Sequence, residues 1–373
     1  MLAAILILSL VSGSSPSNTK AALEDTKLGF RLSVGQEWDT NVSRTLDISN
    51  SEASGDLLTR LVSAARLHHR ISPRHHVISS YVLGVKRFDE SEDEDVIVQN
   101  LFLGTRHFFS KHFRLEADGR YRQSRMRSIL RDYSLGRGEL KLGWRTKKNT
   151  DYWISAGANR FLFPNETRLN YSGIFTALGM SGKLDTHLHW RVGASLEQQY
   201  YDGNALTTVI APWNNQRIVT FCDETERRFG DDCYAPPRED SLILSSAKLT
   251  YQHLFILGAE LQFQSRRSNS VYEDINRIRL SVFTTFELAY EIMVNALAAV
   301  QYTSEQSLSQ NIFQYQPEDD ENQNRVTLQL SRLIHGSLSA LIRYELFTNA
   351  FATNDTAFIR QTVFGGLSFE IDR

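Results

Sequence analysis

Residues 113–124, FRLEADGRYRQS, decide the fold because their charges recur at every second position. The even positions from Arg114 to Arg122 are all charged, whereas the odd positions from Phe113 to Tyr121 are apolar, aromatic or glycine. A helix would spread these charges around its circumference, but a strand collects them on one face. The segment is therefore predicted to be a strand with one polar and one apolar face.

The same alternation recurs through most of the chain, for example over 260–266, 277–287, 325–331 and 360–370. Counting such segments predicts about sixteen strands, with ends uncertain by a few residues. The predicted strands are 27–43, 56–71, 76–88, 95–109, 113–126, 133–147, 151–164, 171–183, 187–202, 241–253, 255–267, 275–290, 292–305, 324–334, 337–350 and 357–371.

The links between these strands alternate in length. Short links lie near 72–75 and 110–112, whereas longer ones cover 45–55, 203–240 and 306–323. Outer-membrane barrels have short periplasmic turns, longer external loops and an even number of strands. The fold class predicted is thus all-β, a transmembrane antiparallel up-and-down β-barrel in a bacterial outer membrane.

The composition agrees with this fold but does not demonstrate it. The 373 residues carry a net charge of −2, which gives no basic field for nucleic acid. The mean hydropathy of −0.33 resembles that of a water-soluble protein. A barrel with a polar interior has a similar average, so the periodicity carries the argument.

The first residues, MLAAILILSLVSG, form an apolar run that is too short to span a bilayer. The run is typical of an export signal, although no Lys or Arg precedes it, and a buried N-terminal element is the alternative. We predict a signal segment with a short lead over residues 1–22 and a barrel over 23–373. Cys222 and Cys233 are predicted to form a disulfide, with two unpaired thiols as the alternative.

Charged side chains on the polar faces are predicted to line the lumen, because an Arg or Lys facing mid-bilayer lipid costs about 2–4 kcal/mol. These residues are Arg60, Arg66, Arg114, Glu116, Asp118, Arg120, Arg122, Glu139, Arg145, Glu260, Arg277, Arg279, Glu287, Arg360 and Glu370. About sixteen strands enclose a lumen wide enough for water. Ion pairs that cross-brace a closed lumen are the alternative.

Other clusters support lesser expectations. Consecutive aromatics near strand ends, such as Tyr152 with Trp153 and Tyr200 with Tyr201, are typical of interfacial girdles. The acidic run 89–95 is interpreted as a solvated external loop, with divalent cations and lipopolysaccharide as its alternative ligands. His68, His69, His75 and His76 are interpreted as an interfacial cluster, with the catalytic cluster of an outer-membrane enzyme as the alternative.

Two strands extend the argument by resemblance. The last, VFGGLSFEI (363–371), resembles the C-terminal assembly signal of outer-membrane barrels, although Asp372 and Arg373 follow it. The first, RLSVGQEWDTNVSR (31–44), is similar to the opening strand of porin-like barrels associated with exopolysaccharide loci. The resemblance implies a pore or export role and supplies no catalytic residues.

Two functional hypotheses follow. The first is an outer-membrane pore or export conduit for hydrophilic solutes, with polysaccharide as one candidate. The alternative is a non-transport barrel that anchors an envelope machine for secretion, motility or surface-polysaccharide assembly, with periplasmic or envelope-complex proteins as partners. Outer-membrane lipid and lipopolysaccharide are the expected surroundings. The sequence lacks GxSxG, HExxH, P-loop and CxxC motifs, so we expect no enzyme, cofactor or metal.

Overall fold

The computed structural model describes residues 25–40, 55–127, 132–146, 149–210, 217–221, 236–270, 273–305, 324–348 and 359–372. Its strands are β1 (Thr26–Asp39), β2 (Asp56–Ser72), β3 (His75–Phe88), β4 (Val96–Phe108), β5 (Phe113–Met126), β6 (Tyr133–Arg145), β7 (Asp151–Leu162), β8 (Tyr171–Lys183), β9 (Leu188–Asn204), β10 (Leu206–Ile210), β11 (Arg217–Phe221), β12 (Pro237–Gln252), β13 (Ile256–Ser268), β14 (Ile275–Leu288), β15 (Ile292–Glu305), β16 (Asn324–His335), β17 (Leu338–Thr348) and β18 (Ile359–Asp372). Within these ranges, no helix has the length and apolar character needed to cross a bilayer.

Sixteen of these strands form one closed antiparallel barrel. Each barrel strand pairs with its neighbours in the chain, and β9 pairs with β12 across the inserted segment. The ring closes where β1 pairs with β18, from Gly29 opposite Asp372 to Asp39 opposite Thr362. Closure leaves no barrel strand with an unpaired edge, which a hydrocarbon environment requires.

The two ends of the barrel differ in their connections. One end, here the turn end, carries short links such as 72–75, 183–188 and 335–338, together with the first and last barrel strand ends. In the link 183–188, Asp185 accepts hydrogen bonds from the amides of His187 and Leu188, and these bonds lower the pKa of its carboxyl group. In the link 335–338, Gly336 adopts a φ of 55°, which favours glycine.

The opposite end, here the loop end, carries the longer links, including 39–56, 204–237 and 305–324. In outer-membrane barrels the short turns are periplasmic and the long loops external. By this rule we expect the turn end to be the periplasmic end.

The outer face of the wall is apolar in the middle of the strands. Leu140, Leu178 and Ile342 are 61%, 61% and 60% exposed to the surroundings. Aromatic rings follow towards the turn end, where Trp144 stacks on Phe113, with ring centroids 6.3 Å apart, and contacts the tilted ring of Tyr152, with centroids 5.8 Å apart. Such a band with an aromatic rim matches a bilayer core and its interface.

The observed strands agree with the sixteen that the alternation predicted, with differences of a few residues at their ends. The largest differences are in two strands. Strand β12 begins at Pro237 instead of residue 241, and β1 ends at Asp39 instead of residue 43. The link predicted to be a loop over 203–240 also contains a hairpin of β10 and β11, which forms its own two-stranded sheet. The predicted signal (1–22) and disulfide (Cys222 and Cys233) lie outside the described residues.

Candidate functional site: the charged inner wall

One carboxylate identifies the inner face of the wall. Glu37 on β1 contacts Lys86 on β3 and Arg343 on β17, which lie two strands away on either side. Side chains from such distant strands converge on the concave side of a curved sheet and diverge on the convex side. Because directly paired residues share a face, the register extends this assignment around the whole barrel.

The register places all fifteen predicted lining residues on this inner face. In β5 and β6, for example, Asp118 lies opposite Glu139 and Arg120 lies opposite Arg137. Whether these charges line a water-filled channel stays a prediction. Further inward-facing charges that the prediction omitted are Lys27, Arg31, Glu37, Asp39, Asp56, Arg70, Lys86, Arg106, Arg137, Lys141, Asp151, Lys183, Arg191, Glu197, Arg238, Asp240, Lys248, Arg266, Arg325, Arg343, Glu345 and Asp372.

The same period-2 alternation could have found most of the omitted residues. Arg137 and Lys141 flank the predicted Glu139 at spacings of two, for instance, and alternate with Leu140 and Leu142. Taken together, basic side chains outnumber acidic ones on the inner face. The net charge of the whole chain, −2, therefore does not describe the charge of its lumen.

The seam cluster consists of Glu37, Arg60, Lys86 and Arg343, close to the junction of β1 and β18. Glu37 is 0% exposed. Its Oε2 lies 2.8 Å from Nη1 of Arg60 and 3.3 Å from Nη2 of Arg343, and its Oε1 lies 2.8 Å from Nζ of Lys86. One buried carboxylate thus holds three cations from three other strands.

Two ion pairs extend the seam cluster towards the loop end. Arg360 on β18 pairs with the fully buried Asp39 on β1, with Nε 3.0 Å from Oδ1. Arg325 on β16 pairs with Glu345 on β17 at 2.5 Å. Together with the seam cluster, these pairs connect every strand from β16 through the closure to β3.

A second network lies near the turn end. Arg114 donates to Glu116 at 2.7 Å and to Asp151 at 3.0 Å, and Asp151 also accepts from Arg145 at 2.8 Å. Arg114, Glu116 and Arg145 were among the predicted lining residues. The network joins β5, β6 and β7 along the wall.

A third group of inward cations contacts aromatic rings. The stacked-cation belt, named here for that contact, comprises Arg120, Arg137, Lys141, Lys248 and Arg343, each within 5.5 Å of a ring centroid and four or more residues from both ends of its strand. The distances from the cation to the ring centroid are 3.7 Å for Arg137 on Phe175 and 4.8 Å for Lys248 on Phe283. The other stacks are Arg120 on Phe102 at 5.5 Å, Lys141 on Trp153 at 4.9 Å and Arg343 on Phe364 at 5.3 Å.

The rings of the belt lie close to glycines in the wall. A Cβ atom on Gly157 would lie 2.4 Å from Cζ of Phe175, and one on Gly258 would lie 2.2 Å from Cζ of Phe283. Glycine is required at these two positions because the ring occupies the space of a side chain. The wall is thus layered from glycine through ring to cation, and Phe175 is only 3% exposed although it faces inward.

The aromatic pairs expected in interfacial girdles divide between the two faces. Tyr152 and Tyr200 face outward, whereas Trp153 and Tyr201 face inward. Consecutive residues of a strand point to opposite faces, so only one member of each pair can lie at the lipid interface. The inward Trp153 belongs to the belt instead.

The interpretation of the histidines near 68–76 agrees with their position at the turn end. His68 Nε2 lies 3.1 Å from His76 Nδ1, and His75 Nδ1 lies 3.4 Å from His107 Nδ1. All ten histidines of the chain lie at or near this end. In the part of the chain that the structure describes, no three His, Cys, Asp or Glu side chains are grouped to hold a metal ion.

Solved structures that align with this chain include outer-membrane proteins. OmpF of Salmonella typhi in complex with daunomycin aligns with a TM-score of 0.51 and 9% identity, over 94% of this chain and 99% of that one. OmpT of Vibrio cholerae aligns with a TM-score of 0.46 and 10% identity, over 93% and 98%. A bacterial polysaccharide outer membrane secretin aligns with a TM-score of 0.44 and 8% identity, over 93% and 98%. No family model and no curated protein matches the sequence.

The closed wall, the apolar exterior and the charged interior define a transmembrane β-barrel. More particularly, the chain is an outer-membrane barrel with the sixteen-strand architecture found in porins.

Proposed function

We propose that this barrel is an outer-membrane channel for hydrophilic solutes. The observation that carries the proposal is the course of the ion pairs along the inner wall. Each pair of the seam cluster and of the turn-end network joins residues on one strand, on neighbouring strands, or on strands two apart. Charges paired in this way line the wall without bridging the lumen, which favours a water-filled interior over a cross-braced one.

The experiment is conductance through planar bilayers with the purified, folded chain. Discrete, ohmic current steps are expected, and their size should scale with salt concentration. A folded barrel that gives no steps would contradict the open channel. That result, with stoichiometric periplasmic proteins co-purifying from solubilised membranes, would favour the alternative role as an anchor of an envelope machine.

The finer part of the proposal is that the permeant is an exported polysaccharide. Its support is the resemblance of the first strand, residues 31–44, to barrels associated with exopolysaccharide loci. A linear oligosaccharide added to one side of the bilayer should then interrupt the current in a concentration-dependent manner. Passage of small ions without any such interruption would restrict the proposal to small solutes.

We also propose that the chain has no catalytic activity. The support is the sequence, which carries none of the hydrolase, metalloprotease or nucleotide motifs considered above. Incubation of the folded barrel with peptide and phospholipid substrates is the test. Turnover that is lost when an inward-facing residue is substituted would contradict this proposal.

A further inference from the structure

Several cations of the stacked-cation belt lie directly opposite another basic residue. Arg120 lies opposite Arg137 in the pairing of β5 with β6, and Lys248 lies opposite Arg191 in the pairing of β12 with β9. Like charges directly across a strand pair destabilise the sheet. This arrangement therefore does not stabilise the wall. We look for its explanation in an interaction with solutes in the lumen.

Two of the belt cations stand apart from the carboxylates of the wall. Among the described residues, neither Arg137 nor Lys248 has an acidic side chain within ion-pairing distance, and their contacts are the rings of Phe175 and Phe283. Lys248 lies opposite Glu260 in the register, yet Glu260 accepts a hydrogen bond from Gln262 at 2.8 Å. The ring, rather than the opposite carboxylate, holds the lysine.

The rings themselves offer little surface to a solute. Phe175 and Phe364 each cover a glycine on one side and carry Arg137 or Arg343 on the other. Both rings are 3% exposed. A sugar would have no open ring face to stack on at these two positions. A guanidinium group lies over each of these two rings.

Carboxylates also occur at the level of the belt. Asp118 lies opposite Glu139, two register positions from the pair of Arg120 and Arg137, so this arc of the wall carries both signs. Elsewhere on the inner face the basic side chains are in excess. A cation with one side against a ring and no carboxylate partner keeps its charge available to a solute anion.

We infer that the stacked-cation belt selects anionic solutes, those carrying carboxylate, phosphate or sulfate groups, and binds them during passage. The inference rests on the proposed channel function and adds the class of permeant. Cations that are already immobilised on rings lose little side-chain freedom when an anion arrives, so they bind without a further ordering cost. Their spacing around the wall, on β5, β6, β12 and β17, provides several weak sites instead of one tight site, as conduction requires.

The test is the zero-current potential of the full-length barrel in a potassium chloride gradient. The native chain is expected to pass chloride in preference to potassium. The double substitution Arg137→Gln with Lys248→Gln should lower the chloride-to-potassium permeability ratio by about twofold or more. Phosphate added to the bath should reduce the native current and have less effect on the double variant.

The matched control removes the same charge outside the belt. Lys111, in a link at the turn end, and Arg332, on the outer face of β16, are both exposed. Lys111→Gln with Arg332→Gln should leave the permeability ratio unchanged. A native preference for potassium, or an equal shift in the control and belt variants, would overturn the inference while leaving the channel function intact.

A second measurement keeps the inference testable if the barrel does not conduct. Among the tryptophans that the structure describes, Trp153 alone faces inward, and Lys141 stacks on it. The emission of Trp153 is the part of the fluorescence that is lost in Trp153→Phe. This emission should be quenched more strongly by iodide than by caesium, and Lys141→Gln should reduce the difference between the two quenchers. Equal quenching by the two ions would contradict an anion-binding belt, whatever the conductance shows.

Discussion

The seam cluster and the stacked-cation belt use the same kinds of side chain in opposite ways. In the seam cluster, Arg60 and Lys86 surround the carboxylate of Glu37, which is fully buried. In the belt, Arg137 and Lys248 lie on rings and contact no carboxylate among the described residues. The comparison shows that the partner, not the type of residue, separates a cation that holds the wall together from one that is available to a solute.

The energetic scale of the two regions should differ accordingly. Removing one member of a buried ion pair typically costs about 3–5 kcal/mol, since the remaining charges stay uncompensated. A cation on an aromatic ring contributes only about 0.5–1 kcal/mol at an exposed site. The seam should therefore respond to substitution with a loss of stability, and the belt with a change in selectivity.

The largest effect is expected for Glu37→Gln. The substitution removes the carboxylate that Arg60, Lys86 and Arg343 share, and we expect the free energy of unfolding to fall by about 3 kcal/mol. Urea unfolding in phospholipid vesicles measures it. Glu260→Gln is the matched control, because Glu260 also faces inward but contacts a neutral glutamine. Equal losses of unfolding free energy in Glu37→Gln and Glu260→Gln would show that the seam cluster has no special role in stability.

The next effect tests the two faces on which the comparison depends. Leu261 and Gln262 are consecutive in β13, and Leu261 is exposed on the outer face. Leu261→Arg should cost about 2–4 kcal/mol, whereas Gln262→Arg, on the inner face beside Glu260, should cost less than half of that. The same unfolding measurement applies. If Gln262→Arg were the more damaging substitution, the assignment of inside and outside would be reversed.

An intermediate effect is expected for Arg343→Gln, because Arg343 belongs to both regions. It pairs with Glu37 and Glu345 and stacks on Phe364. We expect a loss of about 1.5–3 kcal/mol from the charged contacts, together with a lower chloride preference. Unfolding and zero-current potential are measured on the same preparation. A change in one without the other would assign Arg343 to a single region.

The smallest change in stability is expected for Arg137→Gln alone. Its ring contact is worth about 0.5–1 kcal/mol, and part of that is recovered because the repulsion with Arg120 is relieved. Urea unfolding should therefore show little loss of stability, while the chloride-to-potassium permeability ratio falls. A loss as large as that of Glu37→Gln would show that the belt is structural.

Much of the fold could be predicted from the sequence because a barrel wall imposes a strict period of two. In β5 the charges from Arg114 to Arg122 fall on one face and define the strand without any tertiary information. The same rule assigned the fifteen lining charges to one face of the wall. The hairpin of β10 and β11 was missed because it lies outside the ring, where no lipid face imposes that period.

The partners of the charges could not be predicted, because they depend on the register between strands that are distant in sequence. Glu37 lies in the first strand, and its contact with Arg343 on β17 spans most of the chain. The ring contacts escape prediction for another reason. Phe175 lies on β8, but Arg137 lies on β6, so the ring reaches across Gly157 on the strand between them. No pattern within a single strand predicts a contact between residues on β6 and β8.

The junction of β1 with β18 has a consequence for how the barrel assembles. Gly29 on β1 meets Asp372 on β18, so β18 must be synthesised before the first strand acquires its second neighbour. Until then the backbone amides and carbonyls along both edges lack partners, and hydrocarbon cannot supply them. Closing a loop of this length is also slow compared with forming a hairpin between consecutive strands. Insertion and closure are thus obliged to occur together, and a chain shortened by its final strand would keep two open edges that cannot remain in a bilayer.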